Sequence, residues 1–559
     1  MRHSYRPDIP PKPQPYRTLV LDHLGLVAGM FEELGITEVI DKATQQDPEM
    51  RIVTAGHAVK AMVLNGLGFI NQQLYLVPHF FQNKPISRLI APGIQASHLN
   101  DDALGRALDT LYDFGVTALY SLIAATAATR LGLTPKFRHL DTTSFHVDGR
   151  YNSAQPPDEQ VVHITHGYSR DHRPDLNQVM LELIVEHQAG IPVLMQPLSG
   201  NSHDGQAFGQ VVSDHIAQLH PTANPTYLVA DSALYSAENL QKLAETSLKW
   251  ITRVPATLTE AQEVLAQAQP ATMPPLQEGY RARSLLSTYG GVAQRWVLIY
   301  SEQRQPQAQR TVDKQWRKQS DHEVKAFKTL CRTGFACEAD AHQALEHFAH
   351  DLQATFLHAS TICPTPRYGK RGRPGLEAQP DQMVYHLAGA LASRLTDRQA
   401  RVDQQSCFIL ATNDLDEGQL ASQAVLDGYK GQARAERGFR FLKDPQFLAS
   451  SLYLKKPERI MALLMVMTVC LLVYAALEYR IRTALKEHGA TFPDQKGRRI
   501  PNPTTRWVFH YFVGIHVLYI PGQGLMILNL TDEHQHLLEL LGKRYAWFYR
   551  SIVSHFSLT

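Results

Sequence analysis

Eighteen residues from Ile460 to Leu477, IMALLMVMTVCLLVYAAL, carry no charge. A run of that length and character leaves two options, a bilayer-spanning helix or the central helix of a large core. It continues directly into EYRIRTALKEH without a turn signal, and no second run like it occurs. The expectation is therefore a buried helix of a soluble protein, with no membrane partner. Composition agrees, since 44% hydrophobic and 19% charged residues describe a globular chain. A net charge of +2 means that any nucleic-acid surface must be local. Cys331, Cys337, Cys363, Cys407 and Cys470 form no even, closely spaced framework, which favours a reducing cytosol. The opening MRHSYRPDIPPKPQPY has no apolar signal region and is expected as a flexible Pro-rich arm over residues 1–16.

A chain of 559 residues exceeds one core and points to several domains. Residues 17–132 alternate apolar helical stretches with short polar joints, which predicts a helical N-terminal domain. After GLTP the period changes to alternation. KFRHLDTTSFHVDG, QVMLELIVEHQ and IPVLMQPL are strand candidates rich in β-branched and aromatic residues, the last two joined by a tight turn. A helix candidate, DGQAFGQVVSDHIAQL, precedes the strands TYLVAD and LKWITRVP, closing a block at 133–255. Residues 256–405 mix Gln/Ala-rich helix, a strand pair around RARSLLSTYGGVAQRWVLIYSEQ, charged helix and the basic PTPRYGKRGRPG, and are expected as an insertion. The block 406–490 resumes the interrupted domain with the strand SCFILATN, and 491–559 forms a C-terminal domain.

The segment YKGQARAERGFRFLKDP, residues 429–445, reads as one helix bearing a single glutamate among cations before Asp444. Tyr429, Glu436 and Lys443 are spaced seven apart, so one helix would present all three on nearly one face. A solvated basic helix with one stabilising acid is the plain explanation. Other carboxylates change the balance. Asp141 lies inside the strand candidate RHLDTTSF, where an acid needs a partner or a function. Asp231 ends the apolar strand YLVAD, and ligand-binding residues collect at such strand ends. Two aspartates on strands and a helical glutamate can hold two divalent metals through oxygen ligands, as Mg²⁺ or Mn²⁺ prefer. Two such ions support in-line phosphoryl displacement.

These residues carry a resemblance. The helix resembles the Y-x2-R-x3-E-x6-K signature of a branch of bacterial insertion-sequence DDE transposases, with Tyr429, Glu436 and Lys443 on its Tyr, Glu and Lys. Gln432 occupies the Arg position, with Arg434 two residues on. HLDTTSFHVDG and LVADSALYS look like the two aspartate blocks, and HGYSRDHRPDLNQ, LSGNSHDG and PTTRWVF are similar to further segments of the branch. The resemblance implies an α/β fold with an RNase H-like catalytic core, an insertion before the Glu436 helix, and a helical N-terminal domain that binds transposon ends. It implies Asp141, Asp231 and Glu436 as catalytic ligands of two Mg²⁺ ions, with Mn²⁺ able to substitute. Tyr429, Gln432, Arg434 and Lys443 would contact DNA phosphates. The implied activity is cleavage at terminal inverted repeats and transfer of the freed 3′-hydroxyl to target DNA. Double-stranded DNA is the implied partner, bound by a homodimer in the bacterial cytoplasm at the nucleoid. Relatives of this branch often cut the second strand through a hairpin.

Further motifs have two readings each. Arg170, His172 and Arg173 lie on a loop suited to phosphate contact or form an ordinary polar turn. PRYGKRGRPG resembles a minor-groove-reading arm or is a solvated linker. Trp296 suits base stacking or the core. Cys331, Cys337, His342 and His347 match no common zinc spacing. LSGNSHDG and LDTTSFHVDG are faintly similar to binuclear metallophosphoesterase motifs, but the spacings differ. An inactive DNA-binding regulator is the non-enzymatic alternative.

Overall fold

The computed structural model describes residues 16–45, 51–69, 76–147, 151, 161–167, 173–202, 226–246, 248–369, 379–444, 454–520 and 524–553. The expected Pro-rich arm, the helix candidate at 204–219 and most of the PRYGKRGRPG segment lie outside the described residues. The chain forms two units, one of Met1–Thr252 with Asp427–Thr559, the other of Arg253–Leu426.

In the first unit, strand β1 (Arg17–Val20) leads into helices that include Leu24–Glu33, Ala55–Leu67, Asp101–Phe114 and Val116–Arg130. Their starts are chemically marked. Thr54 accepts a hydrogen bond from the His57 amide and Asn100 one from the Ala103 amide, each satisfying a first-turn donor. Gly115, at φ 99°, lets the chain bend by 90° between the last two helices.

Five strands follow: β2 (Phe137–Val147), β3 (Asn177–Glu186), β4 (Pro192–Leu198), β5 (Tyr227–Ala230) and β6 (Lys249–Arg253). They hydrogen-bond in the order β4-β3-β2-β5-β6. The pairs of β2 with β3 and of β3 with β4 are antiparallel, whereas β2, β5 and β6 run parallel. This mixed sheet with central β2 is the RNase H-like arrangement that the motifs imply. Gly190, at φ 74°, makes the tight β3–β4 turn.

The second unit contains β7 (Pro275–Gln277), β8 (Tyr280–Ser287), β9 (Gln294–Ser301), β10 (Thr355–Arg367), β11 (Gln382–Ser393) and β12 (Cys407–Thr412). β12, β9, β8 and β7 form a sheet in that order. β10 and β11 make a separate ribbon whose inner face packs on the helices Gln305–Arg332 and Glu338–His350 through Phe327, Leu345, Ile362 and Leu387. This ribbon was not expected from sequence. Trp296 is only 2% exposed, in the core of this unit, and donates to Gln294 Oε1, so it cannot stack on a base as placed. Cys337 accepts from the Asp340 amide as a helix cap, and among the described residues Cys331, Cys337, His342 and His347 belong to no cluster of three or more His, Cys, Asp or Glu that could hold a metal. The zinc reading therefore falls away.

The chain re-enters the first unit at Asp427, within helix Ser422–Lys430, and Ala433–Leu442 then precedes the long helix Pro457–Glu487. The last is the uncharged run met first in the sequence, and 89% of its most apolar 18-residue window is buried inside the protein. It is the axis of one core, packed by Met62, Leu108, Ile123, Met195, Phe439 and Leu538 from elements throughout the unit. Its half-buried first turn is tied by Arg459, which donates Nε and Nη2 to the Asp109 carboxylate at 2.7 Å each. Burying so continuous an apolar helix contributes on the order of 1.5–3 kcal/mol per large side chain, which is why no charge is tolerated along it. The short strands β13 (Phe492–Pro493) and β14 (Arg499–Ile500) follow it. β15 (His516–Ile520), β16 (Gly524–Leu528) and β17 (Ile552–Val553) then extend β1 into a four-stranded sheet.

Candidate active site

The parallel pairing of β2 with β5 aligns Phe137 with Tyr227 and His139 with Val229. Carried two residues past the paired stretch, that register would set Asp141 beside Asp231, which directly follows β5. Both positions continue the same alternation, so their side chains leave the same face of the sheet. Neighbouring strands lie about 4.8 Å apart, which puts two carboxylates side by side. Like charges at that spacing repel, and a divalent cation bound between them relieves the repulsion. Oxygen donors alone, close together at the ends of adjacent strands, fit a hard cation of the Mg²⁺ type.

Local bonds hold each aspartate. Asp141 Oδ1 accepts from the Thr142 amide at 2.8 Å. Asp231 Oδ1 accepts from the Ala233 amide at 2.9 Å, capping the 3-10 turn Ser232–Leu234, while the Thr252 hydroxyl donates to its carbonyl at 2.6 Å. Asp231 is exposed and Asp141 half-buried.

Two glycines place the Glu436 helix over that same face. A Cβ on Gly428 would lie 2.9 Å from the Phe137 ring, and one on Gly431 would lie 2.7 Å from His139 Nε2. Phe137, His139 and Asp141 alternate along one face of β2. Moving from Gly428 to Gly431 advances a helix by about 4.5 Å while two residues of strand advance about 6.6 Å. The next strand position on this face, Asp141, therefore comes under the first turn of Ala433–Leu442, where Glu436 sits exposed. Buried Phe439 and Leu442 anchor the helix from its other side, with Gly438 against Leu471. Sequence reasoning missed Gly428, Gly431 and His139. The signal was two glycines three apart within a helical pattern, which usually mark close approach.

The segment 429–445 is not one helix as expected. The first helix closes at Gly431, whose amide still reaches Asp427 O, the turn tightens at Gln432, whose amide donates to Tyr429 O, and the second helix ends at Lys443 as its C-cap. Close approach to His139 requires glycine there, and glycine weakens the helix. Tyr429 and Lys443 thus flank the Glu436 helix rather than sharing one uninterrupted helical face with it. Gln432 is its N-cap residue, without a side-chain capping bond. Arg434 lies on the helix, but its side chain is outside the described residues, as are Arg170 and His172. Arg173 is exposed and donates Nε and Nη2 to Asp175 at 2.9 and 2.8 Å, which holds the Asp175 carboxyl down at about 2. Among the described residues no three His, Cys, Asp or Glu side chains gather tightly enough to enclose an ion. Asp141 lies on β2 and Asp231 just past the neighbouring parallel strand β5, and Glu436 is exposed in the first turn of Ala433–Leu442.

The flank of that helix also borders a cavity of about 490 Å³ lined by Arg437, Arg440, Phe441, Tyr474 and Arg506. Arg506 is paired with Asp444 at 2.8 Å and lies over the Phe69 ring, while Phe441 stacks on Tyr474 at 4.3 Å. The motif PTTRWVF therefore contributes a buttress to the Glu436 helix: Arg506 binds the residue just past its C-cap, and the Arg506 amide donates to Tyr474 Oη. The segments HGYSRDHRPDLNQ and LSGNSHDG meet as well. Gln178 Nε2 donates to Gly200 O at 2.7 Å, and neither Gly167 nor Gly200 has room for a side chain.

The family model described as "Transposase DDE domain" matches residues 134–473, and one described as "Domain of unknown function (DUF4277)" matches residues 16–125. No curated protein matches the chain. Among solved structures, a piggyBac transposase synaptic complex with hairpin DNA is similar at 9% identity and a TM-score of 0.36, over 89% of this chain and 83% of that one. The DDE match spans the strands of both aspartates, the whole second unit and the Glu436 helix. The chain belongs to the DDE transposase family: it is a DNA transposase, dependent on divalent metal, that acts on DNA.

Proposed function

We propose that Asp141, Asp231 and Glu436 are the catalytic acids of this transposase, holding two Mg²⁺ ions, or Mn²⁺ in their place, between β2, β5 and the Glu436 helix. The observation that supports this is the parallel β2–β5 register over Phe137–His139 and Tyr227–Val229, which, extended by two residues, would bring the two aspartates together on the face that Gly428 and Gly431 approach. Asp141, central in the sheet, would ligate both ions, Asp231 one and Glu436 the other. The ions when bound supply charge neutralisation at the phosphate and lower the pKa of a coordinated water. In the first step a water oxygen attacks phosphorus and the P–O3′ bond breaks, leaving a 3′-hydroxyl at the transposon end. In the second that hydroxyl oxygen attacks a target phosphodiester, and the target 3′-oxygen leaves. The protein's own part is orientation: Tyr429 and Lys443 at the two ends of the helix, with Gln432, Arg434, Arg170, His172 and Arg173, would hold backbone phosphates in line.

In this reading the N-terminal helices of 17–132 bind the inverted-repeat ends, residues 133–252 and 427–490 form the catalytic core, interrupted in sequence by the second unit, which takes β12 along with the insertion expected at 256–405, and 491–559 form the C-terminal domain. Two ends call for a homodimer on DNA, working in the cytoplasm at the nucleoid. The direct test of the ligand set is replacement of Mg²⁺ by Fe²⁺ with ascorbate and peroxide. Radicals formed at a bound ion should cut the polypeptide near residues 141, 231 and 436. Cuts confined to other regions would remove these acids from the metal site.

A further inference from the structure

The β10–β11 ribbon has an outer face that nothing above explains. Its strands are 13 and 12 residues long, so it extends about 40 Å. Register puts Ala359 across from Ala390, Thr361 from Ala388, Cys363 from His386, Thr365 from Val384 and Arg367 from Gln382, alternating with the inner Ile362–Leu387 pair. Ala359, Thr361, Cys363, Thr365, Arg367, Ala388 and Ala390 are all exposed. No Asp or Glu occurs from Thr355 to Leu376 or from Gln382 to Thr396, although acids number 53 in 559 residues. Within the strands the cation on this face is Arg367, and the acids Glu377 and Asp381 fall in the sequence that joins them. Near the far end a hollow of about 510 Å³ is lined by Thr365, Arg367, Gln382, Val384 and His386 together with Gly334 to Ala336, again with no acid. Asp381, exposed directly before Gln382, accepts from the Gly369 amide.

We propose that this outer face is a second DNA surface, on which duplex DNA lies with its phosphates against Arg367 and the hollow around it. The proposal rests on the chain acting on DNA, not on the metal ligands. Small side chains let a polyanion come close to the backbone of the ribbon, and a two-stranded ribbon fits a groove about 12 Å wide. Exclusion of acids over both strands matches a phosphate partner. A protein partner would instead favour bulky aromatic anchors, and this stretch of the face is mostly Ala, Thr and other small or polar residues.

The experiment is fluorescence anisotropy of the full-length protein on a labelled duplex of arbitrary sequence, in EDTA, across a salt series. Because no divalent metal is present, the metal-site reading can fail without affecting the result. Arg367→Ala should reduce the slope of log K against log salt by about 0.9, the loss of one phosphate contact. Thr361→Glu and Ala388→Glu should each weaken binding fivefold or more, whereas Thr361→Gln and Ala388→Gln, similar in bulk but neutral, should bind nearly as wild type and show that the ribbon still folds. Unchanged affinity and slope in the Glu and Ala variants would overturn the proposal. So would a change in sedimentation velocity without DNA, which would make the face a contact between copies of the chain.

Discussion

Gly431→Ala should disable this transposase without unfolding it. The added Cβ would sit 2.7 Å from His139 Nε2 and 2.8 Å from Cε1. Comfortable contacts are about 3.5 Å or more, so the deficit is about 0.8 Å. His139 is fully buried on central β2, and its ring has no open side into which to retreat. The helix must therefore lift from the strand by a similar distance, carrying Glu436 away from Asp141. Overpacking of this kind costs about 1–3 kcal/mol, and the helical gain of Ala over Gly returns about 0.5–1. The net loss of about 0–2.5 kcal/mol lowers Tm by only a few degrees in a unit this large. Displacement of a catalytic group by about 1 Å can cost 10²-fold, so cleavage should fall about 30–100-fold. Single-turnover nicking of a labelled inverted-repeat duplex measures the rate, and a gel shift of the same duplex measures binding, which should stay within about threefold. Combining Gly431→Ala with His139→Ala should recover part of the rate relative to Gly431→Ala alone, because the clash is gone. Nicking by Gly431→Ala within twofold of wild type would refute the reasoning, as would loss of binding in step with nicking.

Other consequences are as direct. Glu323 is 4% exposed; burial alone would raise its pKa, but bonds from the Thr355 hydroxyl, the amides of Gln353, Ala354 and Thr355, and Gln319 bring it down from 4.5 to about 2. A depressed acid contributes stability that is fully present above the unfolded value and lost as pH falls through the folded one, here about 3 kcal/mol between pH 4.5 and 2. Urea melts of the second unit's transition over that window should steepen in wild type and flatten in Glu323→Gln. Leu471→Ala, within the buried helix, should destabilise by about 2–5 kcal/mol, and the protein should fractionate as soluble without detergent. Recovery only from carbonate-washed membranes would contradict the core assignment of that helix. Arg506→Ala should weaken the buttress on the Glu436 helix and slow nicking several-fold at saturating DNA, read as a change in rate rather than in affinity.

What was legible in the sequence was whatever one periodicity controls. β2 to β6 announced themselves through alternation and β-branched residues, and the uncharged Ile460–Leu477 run announced a core axis. Asp141 and Asp231 were visible as acids at strand positions, but the parallel pairing of their two strands is a tertiary fact that no local pattern carries. The break at Gly431 was hidden because the surrounding residues favour helix and the reason for glycine, His139, lies almost 300 residues away. The β10–β11 ribbon was passed over because Pro364 and Pro366 remove ladder donors and its exposed face lacks an apolar alternation. Its inner face is buried by Phe335 and by helices earlier in the same unit.

The central claim is that Glu436 works with Asp141 and Asp231 in metal-dependent cleavage. Glu436→Gln preserves shape and hydrogen-bonding capacity and removes the charge that a divalent ion needs. It is measured by nicking and strand transfer on a labelled inverted-repeat duplex in Mg²⁺ and in Mn²⁺, with a gel shift on the same duplex. The account predicts loss of both reactions with binding intact or somewhat tighter, since one negative charge no longer faces the phosphates. Nicking by Glu436→Gln near the wild-type rate would contradict it, and would leave Glu436 as the one stabilising acid of a basic helix.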